Sequence, residues 1–181
     1  MALNLKLCVI TLLLSSLFAT FNAAAQEIDK ITVDGFTGDT TTTTQIWNAG
    51  SNPNEYLGIG FSSSAHKPRI RLETDLRAEG RTRYTINQGG NVYLKMSDNN
   101  IITLNVIQDT QAVRASVRHG YYSNNYWTAI IDCALTDDDM DKLRTLTIKA
   151  VRIHTDQGDV DFGIDPKAVM PILKLRSLLW Y

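Results

Sequence analysis

A chain of 181 residues that is 44% hydrophobic and 20% charged, with a formal net charge of -1 and a mean hydropathy of -0.14, has the make-up of a folded globular protein. This excludes collagen-like, low-complexity and multi-span membrane proteins. A nearly neutral chain is not built to neutralise phosphates, so no nucleic-acid partner is expected.

The first 25 residues read as a signal peptide. Lys6 supplies a short positive region, Leu7 to Phe21 form an apolar stretch, and Ala23-Ala24-Ala25 gives the small residues that signal peptidase requires. Cleavage after Ala25 would leave residues 26–181 as a single β-rich domain starting at Gln26, with 17 basic and 19 acidic groups. The apolar stretch is short for a membrane span and has no charged stop-transfer flank, so no integral membrane segment is expected after cleavage. Cys8 lies too early to be a lipid-attachment point at that junction. Cys133 alone remains after processing, so no internal disulfide can form, and its apolar neighbours Ile130, Ile131, Ala134 and Leu135 make it a small buried hydrophobe.

Along the rest of the chain, period-2 alternation dominates. Ile31 and Val33 alternate, and Thr40 to Thr44 favour extended backbone through β-branching, as an edge strand or its approach. Asn48 to Asn54, with Gly50 and Pro53, reads as a loop before the alternating Tyr56 to Phe61. Ile70 and Leu72 face one way, with Arg69, Arg71 and Glu73 facing the other, and residues 74–81 read as a polar turn or loop. Tyr84 and Ile86 form a short strand, and Gln88 to Asn91 turn the chain. Val92, Leu94 and Met96, then Ile102, Leu104 and Val106, form a hairpin about Ser97-Asp98-Asn99-Asn100. Val113, Ala115 and Val117 alternate with Arg114, Ser116 and Arg118, and residues 126–133 make a further strand.

Two helices follow from capping. Thr136 caps a short one, with Asp137, Asp138 and Asp139 in its first turn and Met140 and Leu143 facing inward. Leu146 to Ile153 and Val160 to Ile164 pair across Asp156-Gln157-Gly158-Asp159. Asp165-Pro166 starts the C-terminal helix, which Pro171 restarts or kinks, and Ala168, Ile172, Leu175 and Leu179 dock it on a sheet. The fold class is therefore α+β: a mostly antiparallel sheet with a short helix and a C-terminal helix packed on it. The alternative is a β-sandwich with a trailing helix.

The chemical motifs fail in context. Ser64-Ala65-His66-Lys67 and Ser97-Asp98-Asn99 match two elements of penicillin-binding enzymes, but the third is absent and Pro68 disfavours the helix the first requires. His66, His119 and His154 have no zinc-ligand spacing. Asp137, Asp139 and Asp141 lack the glycine and closing acid of a calcium loop, and Asp156, Asp159 and Asp161 read as a solvated hairpin tip. No metal and no cofactor is expected, and no catalytic residue is assigned. The local feature above background is His119 to Trp127, where Tyr121, Tyr122, Tyr126 and Trp127 flank Ser123-Asn124-Asn125. Flat aromatic faces with amides suit a glycan or a protein partner, making Tyr121, Tyr126, Trp127, Asn124 and Asn125 the candidate ligand-binding residues. Arg69, Arg71, Arg77, Arg81, Arg83, Arg114 and Arg118 face Glu73, Asp75 and Glu79 as a salt-bridged surface.

The stretches Val92-Tyr93-Leu94-Lys95-Met96-Ser97-Asp98, Leu135 to Asp139, and Ile148 through Val151-Arg152-Ile153-His154-Thr155 to Gly158-Asp159-Val160-Asp161-Phe162 resemble small uncharacterised exported proteins of Bacteroidetes-type bacteria. That resemblance implies a compartment and an α+β arrangement, and brings no site residues. The expected function is an exported, non-enzymatic interaction or envelope-associated structural module in the periplasm or at the cell surface, with an unknown protein or glycan as partner. A carbohydrate-binding module using the aromatic hairpin and a small hydrolase are the alternatives.

Overall fold

Alternation of apolar and polar residues gives most strands here one dry face. A computed structural model describes residues 28–52, 54–65, 67–119 and 122–177; the segment 1–25, Tyr121 and Leu179 lie outside them. The elements run β1 (Ile28–Val33), β2 (Thr40–Thr44), β3 (Trp47–Asn52), β4 (Glu55–Ser64), β5 (Lys67–Arg77), β6 (Thr85–Ile86) and β7 (Asn91–Met96). They continue as β8 (Ile101–Asn105), β9 (Thr110–Gln111), β10 (Val113–His119), β11 (Tyr122–Ala134), α1 (Asp137–Thr145), β12 (Ile148–Thr155) and β13 (Gly158–Gly163). A 3-10 turn (Pro166–Ala168) leads into α2 (Val169–Ser177).

The architecture is α+β and mostly antiparallel, as the patterning predicts. One sheet has the order β1-β2-β4-β5-β11-β10, with β3 also paired to β4; a second has the order β13-β12-β7-β8. The dry faces of both supply one core: Leu57, Ile59, Phe61, Ile70, Leu72 and Ile131 from the first, Val92, Leu94, Leu104, Val151 and Ile153 from the second. A bridge between Val106 and Cys133 ties the sheets together. In α1, Thr136 and Asp139 form a capping box, which satisfies amides that the first turn would leave bare, and Met140 and Leu143 enter the core. Ala168 and Ile172 are buried, and α2 packs on β3 and β4. Pro171 falls in the first turn of α2, where its missing N–H costs nothing, so the helix runs through it. No helix among the described residues is long and apolar enough to cross a membrane.

Four expectations need correction. The Thr40–Thr44 run is an inner strand between β1 and β4, and Thr44 is buried. Residues 48–52 form strand instead of loop. Their register on β4 shifts between Asn48 and Gly50, so the loop-forming composition marks a bulge and a close approach. A Cβ on Gly50 would lie 2.5 Å from the Gly163 carbonyl oxygen, and the Ala49 carbonyl accepts from Asp165 N at 2.7 Å. Residues 74–77 extend β5, because ladders to β4 and β11 on both sides outweigh their polar composition. Finally, His119 pairs with Tyr122, so Ser123-Asn124-Asn125 lie within β11 rather than at the turn.

β2 and β3 follow the same edge of β4 and are separated only by Gln45 and Ile46. Thr44 repairs the ladder there: its hydroxyl oxygen accepts from the Phe61 N–H at 2.9 Å, in a buried position. We expect Thr44→Val to lower unfolding stability by about 1 to 3 kcal/mol in denaturant titration, since it strands that N–H without changing side-chain shape. A change below a few tenths of a kcal/mol would show that the bond contributes nothing.

Cys133 is fully buried, and burial, with Asp132 adding, raises its thiol from its ordinary 9.0 to about 12. Burial also raises Tyr84 from 10.0 to about 12. Above pH 9 the unfolded chain releases the thiol proton while the folded chain keeps it, so stability present below that pH is lost as pH rises. Stability measured at pH 8 and pH 10 should therefore fall in the parent and fall less in Cys133→Ala, whose packing loss of about 1 kcal/mol is the same at both. Parallel losses in the two proteins would refute the assignment.

Candidate binding surface

The hairpins of the four-stranded sheet, whose one side enters the core, leave a second face open. In β7 the residues between Val92, Leu94 and Met96 are Tyr93 and Lys95, and in β12 those between Val151, Ile153 and Thr155 are Arg152 and His154. Register then fixes the rows across the sheet. One row carries Asp161, Arg152, Tyr93 and Thr103; the next carries Gly163, Ala150, Lys95 and Ile101.

Asn91 Nδ2 donates to the Tyr93 hydroxyl at 3.2 Å. Asn91 lies two residues back along the same strand, about 7 Å away, which is roughly the reach of a tyrosine side chain. The bond therefore ties the Tyr93 ring to Asn91 on the same face of the strand. Beside it, Arg152 Nε and Nη2 donate to Asp161 Oδ1 and Oδ2 at 2.6 and 2.7 Å, a planar two-point fork. Asp159 stands 3.7 Å from Arg152 Nη1 and 2.7 Å from His154 Nδ1. The Asp161 hydrogen bond raises the Arg152 guanidinium and lowers the Asp161 carboxyl, so both stay ionised near neutral pH. Among the described residues no carboxylate forms an ion pair with Lys95, and Ile101 beside it is 63% exposed.

Tyr93, Lys95, Ile101, Arg152, Asp159 and Asp161 border a groove of about 740 Å³, within the usual range of small-molecule sites. Small residues make its floor: a Cβ on Gly163 would meet no atom within 4 Å, and Ala150 is its cross-strand neighbour.

The residues singled out from sequence are placed differently. Tyr126 and Trp127 are adjacent in β11, so they point to opposite faces and share no platform. Tyr126 is buried, at 3% exposure, and Trp127 packs against the core with its indole N–H donating to the Arg81 carbonyl at 3.1 Å. Asn125 is exposed, pairs with Ser116, and its carbonyl accepts from Ala78 N. Asn124 stands opposite Val117, and Tyr121 lies outside the described residues. The arginine face is salt-bridged at three points: Arg71 to Asp132, Arg77 to Glu79 and Arg81 to Glu55. Ser64 and Lys67 pair across a β-hairpin, which separates them from any helical serine-lysine site. Among the described residues no group of three or more His, Cys, Asp or Glu is placed to hold a metal.

Comparison of the chain with protein-family models, with curated proteins and with solved structures finds no match.

The space above Gly163 gives a direct check on the groove. Gly163→Leu should leave stability within about 0.5 kcal/mol of the parent in thermal or denaturant unfolding, because the new side chain enters open space on an edge strand. A loss well above 1 kcal/mol would show the floor is already packed.

Proposed function

We propose that the protein is an exported binding module without catalytic chemistry of its own, and that it contacts its partner through the open face of the four-stranded sheet. The observation that carries this reading is Tyr93, tied to Asn91 and lining a groove that also holds the exposed Ile101 and the Arg152–Asp161 fork. Aromatic rings and arginines are what contact surfaces concentrate at their centres. The fork holds its charges in mutual hydrogen bonds, which suits orientation of a partner better than proton transfer. Export rests on the signal-type N-terminus. A periplasmic or surface location follows from it, and the partner is an envelope protein or glycan.

Two measurements test the reading. The intact mass of the protein recovered outside the cytosol should match a chain starting at Gln26; a chain that retains Met1 and stays in the cytosol would remove the export claim. Binding of the purified protein to isolated cell-envelope fractions should drop about tenfold or more in Gly163→Leu, which fills the groove. Equal retention of the two proteins would remove this face as the contact surface.

A further inference from the structure

The chemistry of the groove narrows its ligand class, on the premise that the open face is the contact surface. Ala150 and Lys95 lie on the inner strands β12 and β7, whose backbone donors and acceptors are consumed by ladders on both sides, while Gly163 lies on the edge strand β13. Recognition over those inner strands uses side chains, because no backbone group is left there to pair with an extended peptide. The side chains offered are a flat ring, a planar fork with hydrogen-bonding capacity to spare, and the amide of Asn99 at the groove's edge. A ring face against C–H groups and paired polar atoms against neighbouring hydroxyls are the two demands of a sugar.

The charges divide unequally. Arg152 is compensated by Asp161 and Asp159, whereas Lys95 lines the groove in the same cross-strand row as Ala150 and Gly163 with no carboxylate paired to it among the described residues. A ligand carboxylate would pair with that exposed ammonium, which a neutral ligand would leave to water. We infer that the groove takes a carboxylate-bearing saccharide of the uronic acid class, with a sugar ring on Tyr93 and its carboxylate on Lys95.

Calorimetric titration of the purified protein with oligogalacturonate, oligoglucuronate and alginate oligomers tests this, with neutral galacto-oligosaccharide and oligoglutamate alongside. The expected result is saturable binding of at least one uronate, weakened about tenfold by Tyr93→Ala and abolished by Gly163→Leu. Lys95→Gln should weaken it by up to about fivefold and remove the preference over the neutral sugar, and added salt should do the same in the parent. Thermal melting confirms that each variant is folded. Oligoglutamate binding equally well and with the same loss in Gly163→Leu would overturn the saccharide and keep the contact surface. Failure of every uronate overturns it too. The envelope-retention difference between parent and Gly163→Leu then shows whether the surface itself survives.

Discussion

β5 is hydrogen-bonded along nearly its whole length on both sides, to β4 at one edge and to β11 at the other, and the rest of the molecule is arranged by that double pairing. Because both ladders are in register, Ile70 and Leu72 meet Phe61 and Ile59 of β4 and Cys133 and Ile131 of β11, and one continuous apolar surface results. The second sheet covers that surface with its own dry residues. Arg71 and Asp132 are joined on the opposite face by a two-point hydrogen-bonded pair at 2.8 and 2.9 Å, with Asp132 nearly buried. Such a pair helps to specify register, since a slip of one residue would place both groups in the core.

How much of this was legible follows from where information sits in the chain. The β7–β8 hairpin could be read because its alternation is clean and Ser97 to Asn100 carry turn chemistry, with Asn99 adopting a left-handed backbone at φ 68°. The cap of α1 was equally readable, since Thr136 and Asp139 are three residues apart and interact with each other. Strand β3 and the end of β5 were not. Gly50 and Asn48 look like loop residues, and only the partner strand shows that the extra residue makes a bulge; likewise Thr74 and Asp75 become strand through ladders whose members lie some twenty and fifty residues away.

The candidate surface shows the same division. A cluster of aromatics in sequence suggested Tyr126 and Trp127, but adjacency in a strand sends neighbours to opposite faces, and the signal that made them conspicuous separates them. Tyr93 carried no such mark. It alternates with Val92 and Leu94 and so could be assigned to an outer face, yet its relation to Arg152, Asp161 and Gly163 exists only once β7, β12 and β13 are in register. Surfaces assembled from cross-strand neighbours are invisible to any reading that moves along a single segment.

β1 is exposed over five of its six residues, and among the described residues only β2 pairs with it. Its outer edge has no strand partner among the described residues, and Ile31 and Val33 beside it are 60% and 62% exposed. Asp29 and Lys30 are the charged residues that interrupt this edge, and Phe36 projects fully into solvent just past its end. Edges of this kind are where sheets grow by taking in strands from other chains. This exposed edge is therefore set by residues 28–33, far in sequence from the groove proposed as the contact surface.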